Sequence, residues 1–240
     1  CAAATLNRPA DPHYGTVGRP LPGTHIEIAP DGEILIAGPQ VFAGYLKDPA
    51  ATAAALHEGR LRSGDLGAIT DAGTLTVTGR KKDLIVTSSG KNVAPVNIES
   101  ALRDTRWISE AVVYGDNHPY LVALLTLERD ELARLARRLG PRRDPAGMFG
   151  HRAVREAVQA AVDDVNANFA PIEQIKRFAI LDHDLTQSAG ELTPTLKVKR
   201  AVVYDRYRDI FEGLYRTAAA ADAATSAGTA VPTAAPGTGP

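Results

Sequence analysis

Between residues 16 and 79, apolar and polar side chains alternate with a period of two, the pattern of strands that bury one face. Stretches 25–29 and 33–37 flank Pro30-Asp31-Gly32, and stretches 66–70 and 74–78 flank Asp71-Ala72-Gly73. Each intervening segment carries the Asp and Gly that tight reversals favour, so the spacing predicts two hairpins. Residues 49–56 (PAATAAAL) interrupt the alternation. Proline opens an alanine-rich run and Gly59 closes it, which predicts a short helix. The expected product is a small β-rich unit, barrel-like or a sandwich.

From residue 84 the pattern changes. Short apolar runs at 84–87, 111–114, 121–127 and 177–181 read as strands with helices between them. The longest predicted helix covers 151–168, where Val154, Val158, Ala161, Val162 and Val165 share one face at helical spacing. Residues 140–150 (GPRRDPAGMFG) hold enough Gly and Pro for a surface loop. Residues 217–240 are Ala, Thr, Gly and Pro with almost no charge, and too little apolar bulk to offset the entropy of ordering, so disorder is expected there. No internal repeat is visible. The expected fold class is α+β, a β-rich barrel-like subdomain followed by a small α+β C-terminal domain across a hinge.

Composition narrows the function classes. The 27 basic and 28 acidic residues nearly cancel, so no global charge points to nucleic acid or an acidic membrane, and any anion site must be local. A single cysteine, Cys1, excludes an internal disulfide framework and favours a reducing compartment, with the cytoplasm expected. The longest apolar run, residues 121–127, is far shorter than the roughly 20 residues a membrane-spanning helix needs. The first residues lack both an initiating Met and the basic-then-apolar order of a secretory signal, so the chain reads as beginning partway through a longer one. His57, His118, His151 and His183 show no ligand-like spacing, and no metal site is expected. No G-x-S-x-G or Cys/His arrangement suggests a hydrolase.

The segment 79–95, GRKKDLIVTSSGKNVAP, sets Arg80, Lys81 and Lys82 beside a β-branched run and a second Gly-containing loop, which suits a hinge facing polyanions. Other readings compete at each position. Asp65, after Gly64, is a turn residue or a carboxylate for a vicinal diol. Arg80 is a solvated hairpin end or a bidentate ligand for ribose or phosphate oxygens. Residues 88–92 (SSGKN) have the composition of a polar loop. Lys197, Lys199 and Arg200, in GELTPTLKVKR, cannot be told apart by composition.

Ser63-Gly64-Asp65, GRKKDLIVTSSGKNVAP with Ile98-Glu99 beyond it, and GELTPTLKVKR occur in the order seen in the adenylate-forming superfamily, and the chain resembles that family from about residue 14 to 215. VTSSGKNVAPVNIE, NFAPIEQIKRFAIL and LTPTLKVKR are most similar to its bacterial long-chain fatty acyl-CoA synthetases. The resemblance implies that Asp65 and Arg80 bind the nucleotide and Lys82 is the hinge pivot. It further implies that Ser89, Gly90 and Lys91 line the pantetheine channel in the thioester step, and that Lys197 enters the site during adenylation. Leu61 stands where an aromatic is usual, Ser63 replaces Thr, and Leu196 replaces the commoner Gly. The stretch 32–52 also matches a family motif; it is assigned a structural role, with Tyr45 in the core, and Glu99 is expected near a helix start. The implied domains are 1–79, the end of a large adenylation domain; 80–83, a hinge; and 84–216, a mobile C-terminal domain, ahead of the 217–240 tail.

The implied reaction joins a fatty acid to CoA at the expense of ATP, with Mg²⁺ accompanying the ATP. Fatty acid, ATP and CoA are then the partners, with peripheral membrane contact only through the lipid substrate and none with nucleic acid. The family's phosphate loop and its Y-G-x-T-E motif do not occur in these residues, so the expected chain is the C-terminal part of a ligase whose N-terminal half is missing and which is inactive alone. The alternatives are a fatty acyl-AMP ligase loading a carrier protein and a non-catalytic interaction module.

Overall fold

Pro30-Asp31-Gly32 reverses the chain as its residue types require: Gly32 adopts φ +84°, and the Glu33 N–H is held by Asp31 Oδ1 at 3.2 Å. The computed structural model describes residues 2–140 and 145–216. The disorder expected for 217–240 and the centre of the loop expected at 140–150 lie outside the described residues. Of that loop, residues Pro145–Met148 form a 3₁₀ turn and Met148 is buried, so part of it serves packing. The described chain divides into two compact units. One holds the residues up to Ala101 together with Gly115–Pro119; the other holds Leu102–Tyr114 and the residues from Tyr120 onward.

The first unit begins with a two-strand ribbon, β1 (Thr5–Leu6) and β2 (Arg19–Pro20). Its main sheet contains β3 (His25–Ile28), β4 (Glu33–Ala37), β5 (Leu56–His57), β6 (Arg60–Ile69) and β7 (Leu75–Arg80), all antiparallel. Both predicted hairpins are present, as β3–β4 and β6–β7. β6 pairs with β4 along one edge, and with β5 and then β7 along the other, giving an open sheet without barrel closure among the described residues. The predicted short helix is α1 (Pro49–Ala55), with proline at its first turn and the Asp48 carboxylate accepting the Ala51 N–H at 2.8 Å. Tyr45 is not a core residue. It is 54% exposed and packs edge-on against Phe42, because its neighbours 43–50 form a surface excursion with few apolar side chains to cover it. A 3₁₀ turn, Lys81–Asp83, leads to the hairpin β8 (Ile85–Val86) and β9 (Asn92–Val93) and then to α2 (Pro95–Arg103), which crosses the division between units. Glu99 is the fifth residue of α2, beyond its first turn, and is buried, so a helix-terminus role does not describe it.

In the second unit β11 (Leu121–Leu127) lies between β10 (Ile108–Tyr114), antiparallel to it, and β12 (Ile175–Ile180), parallel to it. All seven residues of β11 are buried, which is why the strand reads as a continuous apolar run without alternation. α3 (Arg129–Leu139) and α4 (Arg152–Asn166) connect β11 to β12. The five residues predicted for the apolar face of α4 are the five the helix buries. Residues 200–216, for which the pattern predicted no element, are helical: α5 (Arg200–Arg206) is followed, after a turn at Tyr207, by helical residues 208–216. Val203, Tyr207 and Phe211, four residues apart, are buried with Val112, Val122 and Leu124 of the sheet and with Leu181 and Leu185. Tyr114 stacks on Phe211 at 4.7 Å and meets Tyr204 edge-on at 5.1 Å, and Tyr204 donates to the Val113 carbonyl at 2.7 Å.

Candidate functional site

Asp65 and Arg80 face each other across the β6–β7 ladder as register partners. The Arg80 Nε donates to Asp65 Oδ1 at 2.9 Å. This pair engages one carboxylate oxygen and one guanidinium nitrogen, and no other side-chain bond of either group is formed among the described residues. Asp65 Oδ2 and the Arg80 Nη atoms are thus left for a ligand. The turn before Asp65 is a bulge: Glu33 pairs Leu66 and Leu35 pairs Arg62, so Ser63, Gly64 and Asp65 stand opposite Ile34 alone. Gly64 takes φ +72°, where a side chain would be strained.

Glu33, which sequence reasoning left aside, and Lys81, read there only as one cation of a basic hinge, complete this arrangement. Glu33 is 4% exposed and accepts the Gly64 N–H at 3.1 Å; its other oxygen lies 3.2 Å from Lys81 Nζ and 3.5 Å from Arg62 Nε. Lys81 also donates to Asp31 at 2.5 Å. Burial pushes the Glu33 carboxyl up, but the Gly64 N–H, Lys81 and Arg62 outweigh it and hold it below its ordinary range. The Lys81 bond, with help from the Glu33 N–H, lowers Asp31, and the bonds to Asp31 and Glu33 raise Lys81. Lys82, the expected pivot, is exposed and lines an open cavity of about 390 Å³ with Ser63, Gly64, Arg80 and Lys81. Asp31 and Glu33 had been read only as turn and strand residues, and nothing in their spacing marks a link to Lys81, 48 positions away from Glu33.

Because Glu33 has a depressed folded pKa, its contribution to stability is complete above the ordinary carboxylate value of 4.5 and is lost as pH falls through the folded value. Thermal unfolding of the chain and of Glu33→Gln across pH is expected to show the wild type ahead above pH ~5, with the gap narrowing in acid. A gap independent of pH would show that the Glu33 charge is not responsible.

Ser89, Gly90 and Lys91 form the tip of the β8–β9 hairpin. The Thr87 N–H donates to the Lys91 carbonyl at 3.0 Å, the Gly90 N–H to the Thr87 carbonyl at 2.8 Å, and Thr87 Oγ1 lies 3.0 Å from Ser89 Oγ. Gly90, at φ +75°, has open space where a Cβ would project, so its glycine serves backbone geometry and leaves one face of the loop bare.

In the second unit Lys197 is exposed on a tight turn. The Thr193 N–H donates to the Lys197 carbonyl at 2.8 Å, and the Lys197 N–H returns a bond to Thr193 Oγ1 at 3.0 Å. Leu196, at φ +62°, occupies the left-handed backbone position and is 65% exposed, which explains why a glycine is the easier residue there. The turn's base is Glu191, 1% exposed, which sequence reasoning also missed. It accepts the Thr186 N–H at 2.8 Å, Arg206 at 2.8 Å and the Tyr207 hydroxyl at 2.7 Å. Burial pushes Glu191 up, yet these three donors hold it below its ordinary range, and burial beside that carboxylate pushes the Tyr207 hydroxyl up to about 12. No cluster of three or more His, Cys, Asp or Glu suited to a metal is present among the described residues, and no helix among them is long and apolar enough to cross a membrane.

The chain is similar in sequence and fold to known proteins. A long-chain-fatty-acid–CoA ligase of Mycobacterium tuberculosis is 42% identical over 209 residues, 85% of this chain and 34% of its own length. A long-chain-fatty-acid–CoA ligase of Rattus norvegicus is 35% identical over 224 residues, 83% of this chain and 31% of its own. The chain thus spans about a third of the length of these curated relatives. Among solved structures, the adenylation domain of a carboxylate reductase from Mycobacterium chelonae superposes with TM-score 0.69 at 23% identity, covering 84% of this chain and 32% of that one, a likeness of fold. An O-succinylbenzoate coenzyme A synthetase from Bacillus subtilis, in complex with AMP, gives TM-score 0.57 at 26% identity, covering 78% of this chain and 34% of that one. The family model described as the AMP-binding enzyme C-terminal domain matches residues 82–219, more than half of the sequence, and the chain belongs to that family.

Proposed function

We propose that this chain is the C-terminal part of an AMP-forming long-chain fatty acid–CoA ligase. The observation that carries the reading is the Asp65–Arg80 pair, which leaves a carboxylate oxygen and guanidinium nitrogens available beside an open, basic cavity. Asp65 Oδ2 would accept from the ribose hydroxyls, while Arg80 donates to ribose or phosphate oxygens. In the first half-reaction the fatty acid carboxylate attacks the α-phosphorus of ATP, and the bond to pyrophosphate breaks. Lys197 supplies positive charge to the oxygens that gain charge in that step. In the second, the CoA sulfur attacks the acyl carbonyl and AMP leaves with the bonding pair. Mg²⁺ enters as the counter-ion of ATP.

Lys82 is the proposed pivot between the two half-reactions, and the turn formed by Ser89, Gly90 and Lys91 is the proposed wall of the thiol channel. Rotation at Lys82 would require release of the bond from Asn97 Nδ2 to the Thr78 carbonyl, 3.1 Å long, which ties the start of α2 to β7. An exposed hydrogen bond of this kind contributes about 1 kcal/mol or less. In the complete ligase, fatty-acid-dependent exchange between ATP and labelled pyrophosphate is expected, with acyl-CoA and AMP appearing in equal amounts once CoA is added. Absence of exchange would overturn the reading. Exchange without acyl-CoA, but with acyl transfer to a carrier protein, would overturn the choice of CoA as acceptor.

A further inference from the structure

A carboxylate as buried as Glu33 is costly unless its oxygens are used, and two of its bonds fall on the residues that flank the candidate nucleotide pair. Oε1 takes the N–H of Gly64, immediately before Asp65, and Oε2 takes the ammonium of Lys81, immediately after Arg80. A second acceptor works from the same bulge: Ser63 Oγ takes the Asp65 N–H at 3.0 Å. The bulge displaces three residues against one on β4, so these amides depend on side chains for acceptors on that edge. Gly64, in its left-handed conformation with no Cβ, offers no packing of its own to hold the turn.

We propose that Glu33 and Ser63 are positioning residues for ribose recognition: together they fix the backbone of residues 64 and 65, and thereby the direction in which the Asp65 carboxylate meets the ribose hydroxyls. This rests on the reading of Asp65 as the ribose ligand. Neither residue touches the nucleotide. Glu33 acts through Gly64 on one side of the pair and through Lys81 on the other, so its loss loosens both members at once. Ser63 acts on Asp65 alone, and its loss has a smaller effect.

The readout is the ratio of kcat/KM for ATP to that for 2′,3′-dideoxyATP in the complete ligase, which isolates recognition of the ribose hydroxyls from overall activity. Asp65→Ala sets the floor of that ratio. Glu33→Leu keeps the buried volume but removes the acceptors, and is expected to lower the ratio about tenfold; Ser63→Ala, about threefold. Glu33→Gln retains an acceptor for the Gly64 N–H and is expected to keep the ratio within about twofold of wild type. Combined with Asp65→Ala, neither Glu33→Leu nor Ser63→Ala is expected to lower the ratio further, because the residue they position is gone. If folded Glu33→Leu slows both nucleotides equally and leaves the ratio unchanged, Glu33 is only a stabilising residue and the proposal falls. Should that variant fail to fold, Ser63→Ala carries the same test, and an unchanged ratio there overturns it. If Asp65→Ala itself leaves the ratio at its wild-type value, the ribose assignment fails and the proposal with it, a result distinct from failure of Glu33 or Ser63 alone.

Discussion

On the proposed function, Lys197→Ala in the full-length protein is expected to slow adenylate formation by about 100- to 1,000-fold, while thioester formation from supplied acyl-adenylate stays within about twofold. Lys197 is exposed, and its ammonium has no hydrogen-bond or ion-pair partner among the described residues, so the fold makes no use of its charge. Its backbone is restrained by two bonds to Thr193, which hold the stem of the side chain while leaving the four-carbon arm free. A charge presented in that way costs the folded state little and is available to an incoming anion. The substitution should therefore leave the unfolding free energy within about 0.5 kcal/mol of wild type, separating a chemical defect from a folding one. Single-turnover assays of each half-reaction make the measurement. Equal loss in both halves would remove Lys197 from adenylation chemistry.

Glu191→Ala is expected to lower the stability of the second unit by about 3 kcal/mol, the largest effect anticipated for a residue outside the chemistry. Three donors converge on this carboxylate; without it the Thr186 N–H would be left without an acceptor in the interior, and the Tyr207 hydroxyl would keep only His183 Nε2, 3.0 Å away. Arg206 is 43% exposed and can return to water, which keeps the cost below that of a fully enclosed ion pair. Tyr207→Phe removes the hydroxyl's bonds to Glu191 and to His183 Nε2 and is expected to cost about 1 kcal/mol. Urea unfolding of the chain, followed by Tyr fluorescence and by circular dichroism, gives both values. A cost below ~1 kcal/mol for Glu191→Ala would mean that the turn carrying Lys197 does not depend on it.

Local rules explain what could be read in advance. The β3–β4 and β6–β7 hairpins follow from Asp-Gly and Asp-Ala-Gly turns between alternating runs, and the α4 face follows from five apolar residues at helical spacing. Asp65 and Arg80 were legible as a pair only through the order of motifs; their register follows from a bulge that shifts β7 against β6 between Leu66 and Gly67. Glu33 and Glu191 were not legible, nor was the bond from Lys81 to Glu33, because a buried acid in a strand or loop has the same spelling as a solvated one until its donors arrive from distant positions. The helix at 200–216 was missed although Val203, Tyr207 and Phe211 repeat every four residues; charged residues and two further tyrosines, Tyr204 and Tyr215, mask the stripe. Tyr45 was misplaced for the opposite reason, since aromatic character alone suggested burial and no neighbouring element came to cover it.

The full burial of β11 also governs the order in which the second unit can assemble. Its antiparallel partner β10 is close in sequence, but its parallel partner β12 arrives only after α3 and α4 have been made. Loop-closure entropy favours the near pairing, so β10 is expected to pair with β11 ahead of β12, and one apolar edge of β11 stays open until β12 docks. Such an edge is a template for intermolecular pairing, and β12 is the native strand that caps it. Synthesis stopped ahead of Ile175 would leave a sticky intermediate, which makes the last quarter of the described chain the guard of its most apolar strand as well as the bearer of Lys197.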